Sequence, residues 1–380
     1  MRGGPTLVAH WGQLASVIEL VSGVALAGIG TGLSVLVAQA AGEPQRQRLL
    51  RQALRAGLGV SIPVALALAA LGALEPRALA LTGLSAGVLA LGAAAGCTAV
   101  APGMLNSCWL GQQRRGAMLA LALGAAMLSL AVAATAPRRW LLEALACSQA
   151  VPVLLLAFAL RGRSGGTSAA QSGPAAGQLL RYVPPSLAIG VLSPGAMIGA
   201  RSIVSDALSW HMAGELQALW RVSDWVAAVA GGVLSVHFLP RLSASAGTPR
   251  FGADLARVAR TLLLPCAVAF AVLLAAQRPV FALLYDPSVR IAYGTVALFF
   301  AGSFVRIAAW VPLIALYATR RTLAITLGEF LSLPLFTALL AAFSGGLTLE
   351  RVGALWLAAY VVYAAFNLRV LAARREITGA

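Results

Sequence analysis

Long apolar runs, broken by clusters of Arg, Gly and Pro, follow one another from end to end of this chain. Eleven of them are long enough to cross a bilayer as helices, which takes roughly 20 apolar residues each. They cover residues 12–40, 50–73, 84–110, 116–136, 139–160, 178–203, 213–240, 256–277, 291–318, 321–343 and 351–372. The pattern predicts an all-α polytopic membrane protein. Residues 161–177 separate two groups of runs and are rich in Gly, Ser and Ala, the composition of a flexible linker. The expected organisation is an amino-terminal lobe of five helices over 1–160, the linker over 161–177, and a carboxyl-terminal lobe of six helices over 178–380.

Composition agrees with that pattern. Of 380 residues 60% are hydrophobic and 11% charged, with a mean hydropathy of +0.86; a soluble domain carries about a quarter charged residues. The spans leave only around a dozen residues per loop, on the order of 20 being taken by each helix. That excludes enzymes built on a soluble headpiece, and it excludes DNA-binding folds despite a net charge of +16. All 28 basic residues are Arg, and most sit in short loops. Eighteen fall on one side, with the carboxyl terminus, and seven on the other, where Arg138 and Arg139 run locally against the trend. The positive-inside rule puts the richer side, and the carboxyl terminus, in the cytoplasm. An odd number of helices then leaves the amino terminus outside, and MRGGPTLVAHWGQL lacks the marks of a cleaved signal peptide.

An internal repeat is visible at an offset of 202 residues: 12–39 lies over 214–241 without a gap, with Gly12 on Gly214, Leu14 on Leu216, Val24 on Val226 and Gly30 on Gly232. In both copies a helix runs into a basic loop and then a second helix, and Arg55 falls on Arg257. The shared sidedness makes this a parallel repeat. Its second copy has a preceding helix that the first lacks. A twelve-helix ancestor is therefore expected, its first helix missing here through a displaced start codon or a true truncation.

Charges within the spans cost about 2.5 to 3.5 kcal/mol each at a helix centre on insertion scales. The candidates are Glu19, Arg201, Asp206, Arg221, Asp224, Arg306 and Glu329. Arg221 and Asp224 stand three apart, so they share a helix face and are expected to pair. Two readings stay open: the acids merely neutralise the Arg residues, or an Arg-lined cavity receives an anionic group. Arg suits the second, because its planar fork binds phosphate oxygens bidentately and keeps its charge when poorly hydrated. Glu19, Asp224 and Glu329 are the candidates for ion coupling, through a proton or sodium gradient rather than a bound cofactor. The four Cys show no metal-ligand spacing and read as apolar core residues. His10, His211 and His237 read as packing or interfacial residues. Trp11, Trp109, Trp140, Trp210, Trp310 and Trp356 read mostly as interfacial anchors, and stacking on carbohydrate by Trp210 or Trp220 is a minor alternative. There is no Walker A sequence, HExxH or Ser-His-Asp arrangement.

Several stretches carry a family resemblance: WGQLASVIELVSGVALAGIGTGLSVLVAQ at 11–39 with PQRQRLLR after it, LWRVSDWVAAVAGGVLSVHFLPRLSAS at 219–245, GSFVRIAAWVPLIALYATRRTLAITLGEFLSL at 302–333 and VGALWLAAYVVYAAFNLRVLAARR at 352–375. With these the chain resembles the polysaccharide-lipid flippases of the MOP superfamily, in the group that handles O-antigen and enterobacterial common antigen (Wzx-like). The resemblance implies a two-lobe MOP/MATE-like bundle of twelve helices. It implies movement of an undecaprenyl-pyrophosphate-linked oligosaccharide from the cytoplasmic to the periplasmic leaflet of a bacterial inner membrane, by alternating access. It places Asp224 at a Ser-Asp position of the family's eighth helix, Arg201 at a basic position closing the seventh, Arg306 at one in the tenth and Glu329 at the acid of the eleventh. Arg201, Arg221 and Arg306 would attract the pyrophosphate. One departure stands out: an acid is expected shortly before the basic residue of the tenth helix, and Ser303 occupies that place. The implied partners are the lipid-linked oligosaccharide, the bilayer, and polysaccharide polymerase and chain-length proteins, with no nucleic acid. The alternatives are a multidrug or other amphiphile exporter of the same superfamily, a membrane-embedded polymerase or glycosyltransferase, and a nonfunctional remnant.

Overall fold

The computed structural model describes residues 4–40, 42–153, 183–286, 288–319 and 321–378. Every regular element among them is helical. In chain order these are α1 (Gly4–Gln39), α2 (Glu43–Leu74), the short α3 (Pro76–Thr82), α4 (Ala86–Gly111), α5 (Arg115–Thr135), α6 (Leu141–Ser148), α7 (Val183–Ala207), α8 (Trp210–Ser245), α9 (Phe251–Ala275), the short α10 (Gln277–Leu284), α11 (Tyr293–Ala318), α12 (Thr322–Phe330), α13 (Leu333–Ala342) and α14 (Leu349–Thr378). Nine helical segments among the described residues are long and apolar enough to cross a membrane, α12 and α13 counting together as one. The remaining expected spans, 139–160 and 178–203, lie partly outside the described residues, where α6 and α7 represent them. The 161–177 linker lies wholly outside them.

Two boundaries depart from expectation for reasons written in proline. α1 begins at Gly4 rather than at residue 12, because Pro5 sits in the first turn, where its missing N–H is not needed. The expected single helix over 321–343 is broken at Leu331 and Ser332 into α12 and α13. Pro334 cannot donate to the carbonyl of Phe330 and its ring would clash there, so the ladder stops and restarts.

The repeat has a structural counterpart. α1 and α8 each contain one π-helical turn toward the carboxyl-terminal end, Leu26–Gly30 and Leu234–Phe238, with α-helix continuing after it. In α8 the wide turn precedes Pro240, whose ring a regular turn would not accommodate.

The chain forms two compact units, His10–Ile198 and Met1–Ala9 with Gly199–Ala380. In the first, Leu14, Val17 and Ile18 of α1 pack on Leu84, Val88 and Leu89, and Ile29, Leu33 and Val37 pack on Val100, Met104 and Cys108. A methyl group added at Gly96 of α4 would run into Val21 and the Ile18 carbonyl. Without a hydrophobic force between helices in lipid, small residues that let backbones approach supply the packing. α5 buries none of its residues; a helix apolar all round suits a hydrocarbon setting.

In the second unit the core is aromatic. Phe299 of α11 stacks on Trp356 of α14, with centroids 4.8 Å apart and an interplanar angle of 6°. Trp220 of α8 and Phe336 of α13 meet the same indole edge-on, at 5.6 and 5.0 Å. Trp356, expected at the membrane interface, is completely buried instead. Its N–H donates to Ser303 Oγ at 3.1 Å, so its polar atom is satisfied inside the protein and needs no headgroup region. Gly302 makes this possible, since any Cβ there would collide with the Trp356 ring.

Gly302→Val should therefore destabilise the protein by about 1 to 3 kcal/mol through overpacking. Gly124→Ala, in open space on α5, should be neutral or slightly stabilising, as expected for Ala in a helix. Thermal unfolding in detergent micelles distinguishes the two; equal melting temperatures would contradict the packing described for α11 and α14.

Candidate functional site

Arg306 lies near the middle of α11, about 20 Å from its first residue at 1.5 Å per residue. A cation there needs a counter-charge within the protein. Asp224 of α8 provides it: Arg306 Nη1 donates to Asp224 Oδ1 at 2.9 Å, with the two side chains 20% and 36% exposed. The guanidinium also lies over the rings of Trp310, at 5.2 Å, and Tyr360 of α14, at 6.0 Å, contacts that orient the cation electrostatically. One of its five N–H donors is used by Asp224.

The expected Arg221–Asp224 pair is not formed. Asp224 reaches across to α11, and Arg221, half-buried one turn earlier, interacts with Tyr285 beyond α10. Burial pushes the Tyr285 phenol up to about 12 even against the nearby Arg221, so it stays neutral and keeps its proton. Helix spacing alone predicted the local pair, but the carboxylate is used where the interhelical charge is deepest.

Glu329 closes α12 just before the Pro334 break. The Tyr363 hydroxyl donates to Glu329 Oε1 at 3.5 Å, and the Ser332 hydroxyl donates to the Glu329 carbonyl at 2.6 Å. Next along α14, Asn367 is fully buried; its amide donates to the Ala309 carbonyl at 3.4 Å, and its Oδ1 has no hydrogen-bond partner. Arg306, Asp224, Glu329, Tyr360 and Tyr363 thus form one polar centre within the second unit.

The other candidates lie elsewhere. Arg201 is completely buried, donates to Gln217 Oε1 at 2.5 Å and lies over the Trp220 ring at 5.7 Å. Trp220 is itself buried, which removes it as a stacking platform for carbohydrate. Asp206 is exposed at the end of α7, and Glu19 is exposed on α1 in the first unit. Ser303, standing where an acid was expected, donates to the Phe299 carbonyl at 2.9 Å and accepts from Trp356; a carboxylate there would be buried among aromatic rings. Cys147 is exposed rather than in a core. Among the described residues there is no group of His, Cys, Asp and Glu that could hold a metal ion.

Sequence reasoning missed Tyr360, Tyr363 and Asn367, although their spacing of three and four puts them on one face of α14. It also missed Glu215, buried at the start of α8, which accepts from the Arg290 backbone N–H at 3.1 Å and lies 3.7 Å from His211.

No family model matches the sequence, and no curated protein matches it. Solved structures do. An inward-facing multidrug resistance MATE family transporter of the MOP superfamily superimposes with a TM-score of 0.75 at 14% identity, over 98% of this chain and 92% of its own. An outward-facing MATE transporter gives 0.65 at 15% identity, over 98% and 90%. A MOP superfamily transporter from Pyrococcus furiosus Vc1, whose binding pocket of reversed polarity suggests a different function, gives 0.62 at 15%, over 97% and 89%. The chain has the MATE/MOP transporter fold and is a multi-pass membrane protein.

A double-mutant cycle on Asp224→Ala and Arg306→Ala should give a coupling of about 1 kcal/mol, at the low end for a pair because both groups keep some exposure. The two single losses should sum to more than the loss measured in the double variant. Chemical unfolding in micelles measures this, and strict additivity would contradict the pairing.

Proposed function

We propose that this chain moves an anionic amphiphile across a bacterial inner membrane by alternating access, the substrate being an undecaprenyl-pyrophosphate-linked oligosaccharide destined for surface polysaccharide. The observation that carries the reading is Arg306, a cation held at the middle of a membrane helix that, among the described residues, gives a hydrogen bond to Asp224 through one of its five donors. A phosphate group is the ligand that such a planar fork suits best. Arg221, half-buried on α8, joins it in receiving the headgroup. Arg201, sealed inside the unit, supports α8 and does not meet the substrate. Asp224, Glu329 and the exposed Glu19 of α1 are the coupling acids, working with a proton or sodium gradient. The existence of the same fold in inward-facing and outward-facing conformations supports the alternating-access part. The carboxyl terminus faces the cytoplasm, as the Arg distribution favours, and polymerase and chain-length proteins take up the delivered product.

Export of a cationic drug is the competing reading, because solved structures that share this fold include multidrug transporters. An Arg at the charged centre disfavours it, and the Pyrococcus furiosus transporter, whose binding pocket has reversed polarity, supports variation of that property within one fold.

The test is transfer of a fluorescent undecaprenyl-pyrophosphate oligosaccharide between the leaflets of proteoliposomes. The wild type should accelerate it. Arg306→Ala should slow it by roughly tenfold or more, the value of losing a charge-assisted contact of at least about 1.5 kcal/mol, and Arg306→Lys should recover part of the rate. Unchanged transfer in Arg306→Ala would remove Arg306 from the site, and transport of cationic dyes alone would favour the drug reading.

A further inference from the structure

We propose that a cavity at the junction of α9, α10 and α11 holds the headgroup of a bilayer phospholipid, one that joins a phosphodiester to an N–H donor as phosphatidylethanolamine does, with its acyl chains along α9. The site lies apart from Arg306 and does not depend on the transport reading.

Three polar side chains meet there without partners. The cavity, of about 490 Å³, is lined by Leu274 and Ala275 of α9, Gln277, Arg278 and Pro279 of α10, and Tyr293 of α11. Its size falls within the roughly 300 to 1,000 Å³ of ordinary small-ligand sites. Gln277 is only 9% exposed, and its buried Oε1 has no hydrogen-bond partner among the described residues. An acceptor left unpaired in the interior bears its full desolvation cost, and native proteins seldom leave one without a water, ion or ligand to meet it. Arg278 and Tyr293 are exposed, and among the described residues no hydrogen bond or ion pair engages either side chain.

These groups ask for a ligand that both accepts and donates. The Arg278 guanidinium and the Tyr293 hydroxyl are donors suited to phosphodiester oxygens. The Gln277 amide has an acceptor and a donor that a half-turn about its last torsion exchanges, and its unmet acceptor calls for a donor on the ligand. A primary ammonium beside a phosphodiester supplies both. A quaternary ammonium has no N–H and supplies only the phosphate.

The surroundings select a lipid over a soluble phosphodiester. Leu264, Val268 and Val272 are exposed at four-residue spacing, so they form one apolar stripe along α9. The stripe runs for about 12 Å at 1.5 Å per residue and ends within a turn of Leu274 and Ala275. On the short α10, Phe281 is buried and ties the helix to the protein, while Leu283 is 86% exposed, as suits a helix lying at a membrane surface. Polar groups at the end of an apolar stripe match the shape of one lipid, head and tail. α9 begins on the Arg-rich side, with Arg257 and Arg260, so its far end meets the outer leaflet by the positive-inside rule.

The test uses the full chain purified in neutral detergent, with phosphatidylethanolamine and phosphatidylcholine of identical chains as probes and retained lipid counted by native mass spectrometry. The two headgroups carry the same net charge and differ in N–H donors, so this comparison depends on no variant. The wild type should hold the ethanolamine lipid roughly tenfold more tightly, the effect of one hydrogen bond to a charged group. Arg278→Ala should weaken that lipid roughly tenfold, whereas Arg138→Ala, exposed on the same inferred side but outside the cavity, should leave it unchanged. Gln277→Leu should erase the preference for ethanolamine over choline and leave the melting temperature of the lipid-free protein equal or higher, because it removes the unpaired acceptor. Equal retention of the two lipids by the wild type, unchanged retention in Arg278→Ala, or equal losses in Arg278→Ala and Arg138→Ala would each overturn the proposal. Competition by water-soluble glycerophosphoethanolamine as effective as that by the lipid would overturn it in favour of a soluble ligand.

Discussion

A guanidinium halfway along an apolar helix has no water to fall back on, and the architecture of the second unit follows from how that need is met at Arg306. The counter-charge comes from α8, and two aromatic faces come from α11 itself and from α14. Those three helices must therefore hold fixed rotations toward one another. The packing that fixes them is close by: Gly302 admits the Trp356 ring, Ser303 accepts its N–H, and one turn further along α14 that arrangement delivers Tyr360 to the cation. An aromatic core and a polar centre sit side by side because the first sets the register of the second.

Departures from regular helix occur beside chemistry. The α12–α13 break lies two residues from Glu329, and its neighbour Gly328 faces the amide of Asn367, with Oδ1 3.2 Å from where a Cβ would stand. Irregular backbone at membrane depth is tolerated only where protein or a cavity can satisfy it, and here Ser332 caps the Glu329 carbonyl. The π-helical turns of α1 and α8 recur at nearly the same distance from each helix start.

Much of this was legible in the chain. Hydropathy located the spans because hydrocarbon leaves the backbone little choice but helix. The charges worth attention were also visible, since each is costly in lipid. Partnership was not. Arg221 and Asp224 satisfied the spacing rule for a local pair, yet the carboxylate belongs to Arg306, 82 residues away. Hydropathy fixes where a helix is and leaves its rotation free, so it could not separate the sealed Arg201 from the half-buried Arg306. Trp356 misled for a related reason: indoles favour the interface when their N–H lacks a protein acceptor, and Ser303 supplies one. The break at Pro334 was written in the sequence and overlooked, because a window average of hydropathy does not register a missing hydrogen bond.

The degree of burial is what distinguishes the Asp224–Arg306 pair from an ordinary structural salt bridge. Fully buried, it would resist separation, because either charge left alone would bear the whole desolvation cost. Fully exposed, it would be too weakly coupled to bias anything. Partly exposed, with four of the five guanidinium donors not taken by the carboxylate, the pair orients the cation without enclosing it. Arg201 makes the contrast within the same unit: held by Gln217 and covered by Trp220, it is closed to any ligand. Two arginines of identical chemistry thus differ in access, one sealed between helices and one partly open, and neighbouring rings set the difference.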